Sequence, residues 1–114
     1  FNNDTYPDLA IGALGSNALR IYLNTANGSG QFNLDAAYNT GSPGVVPVVG
    51  DFNGDGALDI AAFKPNNIDS KVLVYNGNGT GLFTLFSSQA LMESTNLTGV
   101  RILPSSGDLD GDGD

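Results

Sequence analysis

The residues of this chain best suited to chemistry are its aspartates, and they come in groups. The run Asp51-Phe52-Asn53-Gly54-Asp55-Gly56-Ala57-Leu58-Asp59 carries oxygen-bearing side chains at its first, third, fifth and ninth positions. In a tight loop alternate residues face a common centre. Asp51, Asn53 and Asp55 can then each offer an oxygen, the Ala57 carbonyl offers another, and Asp59 closes the shell. Ca2+ takes six to eight hard oxygen ligands at ~2.3–2.6 Å, and Gly56 permits the sharp turn such a shell requires. The run is not an EF-hand, because it has no Glu at its twelfth position and Ile60-Ala61-Ala62-Phe63 reads as a strand. Magnesium demands stricter octahedral geometry and keeps its water. Zinc favours nitrogen and sulfur ligands, and the chain has no His and no Cys. A single copy of this run would equally well be an Asx-rich hairpin turn without metal.

The run is not single. Phe1-Asn2-Asn3-Asp4-Thr5-Tyr6-Pro7-Asp8-Leu9-Ala10 aligns with Phe52 to Ala61 at an offset of 51, with five of ten residues identical. Asn27-Gly28-Ser29-Gly30-Gln31-Phe32 matches Asn78-Gly79-Thr80-Gly81-Leu82-Phe83 at the same offset. A third copy opens at Asp108, 57 residues after Asp51. Periods of this length are close to that of one four-stranded propeller blade, and the recurrence favours calcium over a bare turn.

The pattern Asp-x-Asn/Asp-x-Asp-Gly-x-x-Asp, followed by an apolar strand and then by Asn-Gly-x-Gly-x-Phe, resembles the FG-GAP or VCBS-like repeats of integrin-α-type β-propellers. The resemblance spans nearly the whole chain and is most specific at the middle copy. It implies a calcium loop between the first and second strands of each blade, with Asp51, Asn53, Asp55, Ala57 and Asp59 as ligands. It extends the assignment to Asp108, Asp110, Asp112 and Asp114 in the third copy, Asp114 through its carbonyl. In the first copy it extends to Asn2, Asp4, Tyr6 and Asp8; that copy lacks the first position and has Thr5 where Gly is expected.

These loops need strands to hold them. Apolar and β-branched runs bounded by Gly, Asn, Asp or Pro predict strands at Leu9 to Ala13, Leu19 to Leu23, Phe32 to Ala37, Val45 to Val49, Ile60 to Phe63, Val72 to Tyr75 and Leu82 to Phe86, with Val100 to Leu103 opening another copy. No segment shows a helical stripe. The expected fold is all-β: propeller blades of four antiparallel strands, roughly two of them. The repeats divide as 1–51 (incomplete at its start), 52–108, and 109–114 as the start of a third, so the chain reads as an excerpt of a longer array. Tyr22, Tyr75, Phe32 and Phe83 are expected in the core between blades.

Composition agrees. Gly is abundant at 16 residues, which suits short strands and tight turns. Nine of the twelve acids lie in the three clusters, and the net charge of −8 would fall to −2 with three divalent cations. Only Arg20, Lys64, Lys71 and Arg101 are basic, and they are dispersed, which argues against nucleic-acid binding. No run approaches the ~20 apolar residues of a membrane span. Asn3, Asn27, Asn78 and Asn96 begin glycosylation sequons. Asn27 and Asn78 also suit their turns, leaving Asn96 the best acceptor.

The function expected is a calcium-stabilised extracellular or cell-surface scaffold, a secreted glycoprotein module for adhesion or binding and not an enzyme. Its protein or carbohydrate ligand would lie on the face opposite the calcium loops, formed by the segments 13–17, 38–44, 64–70 and 90–99, with further blades as partners in cis or in trans. The alternatives are a structural repeat of a surface filament or sheath, or a non-catalytic propeller attached to a secreted hydrolase or lyase. Glu93 and Asp35 lie outside the acidic clusters but have no visible catalytic partner.

Overall fold

The computed structural model describes residues 1–65 and 70–91. The strand expected at Val100 to Leu103, the third acidic run with Asp108, Asp110, Asp112 and Asp114, and the Asn96 sequon lie outside the described residues.

Seven strands and no helix make up the described chain: β1 (Leu9–Gly12), β2 (Ala18–Asn24), β3 (Phe32–Asn39), β4 (Val46–Gly50), β5 (Asp59–Lys64), β6 (Lys71–Gly77) and β7 (Phe83–Ala90). They form two antiparallel sheets, ordered β1-β2-β3 and β4-β5-β6-β7. Every strand expected within the described residues is present. The outer strands run longer than their apolar content foretold, because Ser87, Ser88 and Gln89 continue the ladder against Val74, Leu73 and Val72. That edge is held by backbone hydrogen bonds, which hydrophobicity does not register.

The two sheets are copies of one another in detail. β1 pairs with β2 through Leu9–Tyr22, and β5 with β6 through Ile60–Tyr75. Each sheet carries a bulge at one place, between Ile21 and Tyr22 and between Val74 and Tyr75. In the partner strands the extra residues are Asp35 and Phe86, 51 positions apart. A bulge adds local twist, so its repetition gives both sheets a matching twist. The sheet boundary falls between Asn39 and Val46, one strand ahead of the point where the sequence repeat turns over at Asp51.

The sheets stack with unlike faces together. Leu19 and Ile21 of β2 are fully buried, whereas their counterparts in β6, Val72 and Val74, are half-buried. Conversely Ile60 of β5 is fully buried, whereas its counterpart Leu9 is 40% exposed. The first sheet therefore presents its Leu19/Ile21 face to the Ile60/Leu73/Tyr75 face of the second, and one apolar cluster joins them with Val45, Ala62 and Phe83. Tyr38 of β3 bridges the outer strands. Its ring meets Tyr75 at 5.6 Å and Phe83 at 6.1 Å between centroids, and its hydroxyl accepts the Phe83 N–H at 2.9 Å. Phe1 adds an edge-to-face contact with Phe83 at 5.2 Å.

Tyr75 and Phe83 are thus between the sheets as expected. Phe32 is not: it is 36% exposed, and Tyr22 is half-buried. They occupy the places of Phe83 and Tyr75 in the first sheet, whose corresponding face has no sheet against it among the described residues.

Candidate metal centre

The acidic loop lies between β4 and β5, and its geometry starts with Asp51. One carboxylate oxygen, Oδ1, accepts the Gly54 N–H at 2.9 Å and the Asp55 N–H at 3.2 Å; Oδ2 accepts the Gly56 N–H at 2.8 Å. Asn53 Oδ1 accepts the Asp55 N–H at 2.9 Å, and Asp55 Oδ1 accepts the Ala57 N–H at 2.8 Å. The Asn53 amide donates to Asp55 Oδ2 at 2.9 Å. These successive Asx turns require a left-handed backbone at Gly54 (φ 72°) and Gly56 (φ 84°), which glycine adopts without steric cost. Asp59 opens β5 and is wholly buried. Its Oδ2 accepts the Phe52 N–H at 3.0 Å and its Oδ1 the Gly77 N–H at 2.8 Å. It ties the start of the loop to the end of β6.

The first copy reproduces the Asx turns at the second and third ligand positions, without the bonds that Asp51 accepts. The Asn2 amide donates to Asp4 Oδ2 at 3.0 Å, Asn2 Oδ1 accepts the Asp4 N–H at 3.3 Å, and Asp4 Oδ1 accepts the Tyr6 N–H at 2.9 Å. Asp8 accepts the Asn24 N–H at 2.8 Å, as Asp59 accepts that of Gly77, and pairs with the Phe1 ammonium at 2.6 Å where Asp59 accepts the Phe52 amide N–H. Asn3 (φ 60°) and Thr5 (φ 72°) stand where Gly54 and Gly56 stand, and the backbone remains left-handed although neither is glycine. The loop conformation is therefore imposed by the aspartate hydrogen bonds and tolerates strain at Thr5, whose branched Cβ is poorly suited to that region.

Within each described copy the predicted site residues are thus brought into one loop. Among the described residues, however, no group of three or more His, Cys, Asp or Glu side chains converges as a metal cluster. The carboxylates are turned to the loop's own N–H groups, and Asp59 faces two backbone amides. The donor set is nonetheless all oxygen, and a carboxylate oxygen that accepts one N–H keeps a further lone pair. Its chemistry fits a hard cation. Sequence reasoning did not find the role of Asp59 and Asp8 as clips between the loop and the ends of β6 and β2. Their identity at offset 51 was visible, but their partners, Gly77 and Asn24, share no residue type.

A hollow of about 320 Å3 lies beside the loops, between β1 and β4, lined by Tyr6, Pro7, Leu9, Pro47, Val49 and Leu58 among others. Its wall is mainly apolar, and the carboxylate that reaches it, Asp8, is already held by the Phe1 ammonium and the Asn24 N–H.

A model of the FG-GAP-like repeat matches residues 1–62. The chain belongs to the FG-GAP-like repeat family. It is also 36% identical over 95 residues to human integrin alpha-7, an alignment that covers 71% of this chain and 8% of that protein. The chain thus spans only a small part of the relative's length. No solved structure matches it. For an FG-GAP-like chain the two sheets, stacked with unlike faces together, are consistent with partial blades of a β-propeller.

Proposed function

We propose that this chain is a calcium-stabilised segment of an extracellular or cell-surface β-propeller, serving as a non-catalytic scaffold for adhesion or binding. The observation that carries the reading is the repetition of the Asx turns of the acidic loop in two copies 51 residues apart. Membership of the FG-GAP-like family and the likeness to integrin alpha-7 support it. In the second copy Ca2+ would be held by Asp51, Asn53, Asp55, Asp59 and the Ala57 carbonyl. In the first it would be held by Asn2, Asp4, Asp8 and the Tyr6 carbonyl, and the same reading extends to Asp108, Asp110, Asp112 and Asp114. Bound there, the cation would offset the repulsion among the clustered carboxylates.

The blade division at 1–51, 52–108 and 109–114 belongs to this proposal, as does a protein or carbohydrate ligand on the side away from the acidic loops. On that side Leu14 is 87% exposed, an apolar tip suited to a partner's surface. Glycan attachment at Asn96, Asn78, Asn27 and Asn3 is part of the same extracellular reading.

The test is calcium itself. EDTA should lower the melting temperature, since a ligand that binds only the native state stabilises it by mass action. Asp55→Ala should weaken calcium binding in titration calorimetry by tenfold or more, about 1.4 kcal/mol, while Asp35→Ala leaves it unchanged. An identical melt in EDTA with no calcium retained by the protein would sink the proposal.

A further inference from the structure

The sequence contains four Asn-Gly pairs, at Asn27-Gly28, Asn53-Gly54, Asn76-Gly77 and Asn78-Gly79. An asparagine followed by glycine is chemically labile, because no Cβ on the following residue hinders approach of its nitrogen to the asparagine side chain. When the glycine N–H loses its proton to solvent base, the nitrogen attacks the asparagine Cγ. A nitrogen–carbon bond forms, the side-chain carbon–nitrogen bond breaks, ammonia leaves, and a five-membered succinimide remains. Water then adds to one of its two carbonyls and opens it to aspartate or isoaspartate.

The structure sorts the four pairs into two kinds. The Gly54 N–H donates to Asp51 Oδ1 at 2.9 Å, and the Gly77 N–H donates to Asp59 Oδ1 at 2.8 Å. A proton shared with an anionic oxygen is harder to remove, and the nitrogen is held away from any other partner. The Asn53 amide nitrogen, the leaving group, is itself held by Asp55 Oδ2. By contrast, the Gly28 and Gly79 N–H groups have no hydrogen-bond partner among the described residues. Asn27 and Asn78 are exposed, and their carbonyls are polarised by donors: Asn27 Oδ1 accepts the Ser29 N–H at 3.0 Å and the Thr25 hydroxyl at 2.9 Å. Asn78 Oδ1 accepts the Thr80 N–H at 2.9 Å and hydroxyl at 2.7 Å. Drawing electrons toward Oδ1 makes Cγ more electrophilic; Asn53 Oδ1 also accepts an N–H, from Asp55, so the state of the following glycine N–H is what separates the pairs.

We propose that Asn27 and Asn78 are spontaneous deamidation sites in the folded protein, and that Asp51 and Asp59 keep Asn53 and Asn76 inert. Both labile turns lie at the same end of the sheets as the acidic loops: the Asp59 clip reaches Gly77, and Asn3 packs over Gly79. Each conversion adds one negative charge beside those loops, and isoaspartate also lengthens the backbone of the turn. The two aspartates that shape the metal loop thus also protect the asparagines within and beside it. The inference needs no bound metal.

The experiment is peptide mapping by mass spectrometry of the full chain, made without glycans and aged at mildly alkaline pH, with isoaspartate identified by an isoaspartyl methyltransferase. In the folded protein Asn27 and Asn78 should convert at least about tenfold faster than Asn53 and Asn76, the effect expected of a hydrogen bond to a charged acceptor. In urea all four should converge to within a few-fold. Asp51→Ala should release Asn53 selectively, with Asn76 unchanged. Equal rates in the folded chain, or the same ranking in urea as in the fold, would overturn the proposal.

Discussion

Thr5 shows how strongly one hydrogen-bond pattern dictates a backbone. A β-branched residue at φ 72° is held there because Asp4 and its neighbours repeat the turns of the second copy, where Gly56 occupies the position. Strain of this kind amounts to ~1–3 kcal/mol, and glycine would relieve it while giving up some unfolded-state restriction. Thr5→Gly should stabilise the chain by about 0.5–1 kcal/mol, read as a rise in denaturation midpoint without a change in slope. Tyr75 carries the opposite kind of burden. It is 2% exposed, and its hydroxyl has no hydrogen-bond partner among the described residues. Burial, with a further contribution from Tyr38, raises its pKa above the ordinary 10.0. A phenol whose folded pKa is raised contributes its full stability below the unfolded value and loses it as pH climbs toward the folded one. Stability should therefore fall above about pH 10. Tyr75→Phe should remove that part of the alkaline loss and, by deleting an unpaired buried hydroxyl, should leave neutral-pH stability equal or higher. Parallel melts across the alkaline range would check both.

At the scale of the element, the acidic loop and β6 are one mechanical unit. Asp59 joins Phe52 to Gly77, and at Gly77 the fit is so close that an added Cβ would sit 2.1 Å from the Leu58 carbonyl oxygen. Gly77→Ala should therefore push β6 from the loop and destabilise the chain by ~1–3 kcal/mol, with loosened amide protection at Phe52 and Gly77 in hydrogen exchange. Normal protection at both would mean that the two elements fold independently. Much at this level was legible in the sequence. The oxygen spacing placed the loop, and the alternation of apolar runs with Gly and Asn placed the strands. The clip was not legible, because the donor to the Asp59 carboxylate is the backbone N–H of Gly77, which any residue but proline carries and which leaves no trace in the residue type.

For the whole molecule the stacking direction decides the behaviour. Two sheets joined with unlike faces leave one apolar face at each end without a sheet against it among the described residues. Leu9 and Ile11 are 40% and 44% exposed on the outer face of the first sheet, and Val72 and Val74 are half-buried on the outer face of the second. Repeats of this kind derive stability from neighbours, so the 114-residue chain should self-associate, and Ile11→Lys should shift sedimentation toward smaller species. A sharp monomer boundary for the parent chain would contradict this. It would favour a self-contained sandwich, in which the calcium reading of Asp51 to Asp59 survives.

By itself the sequence determined which residues form the acidic loops, that the chain repeats with a period near that of a blade, and that its strands are antiparallel and short. These are local properties, set by oxygen spacing, turn residues and alternation within a few positions. Only the tertiary structure decided which copy of an equivalent residue is buried. Phe32 and Phe83, or Leu9 and Ile60, are alike in sequence context and unlike in exposure, because burial depends on which face meets the neighbouring sheet. The tertiary structure also decided that the aspartates closing each motif face the backbone of a strand far along the chain, since that partnership rests on the distance between β6 and its loop in space.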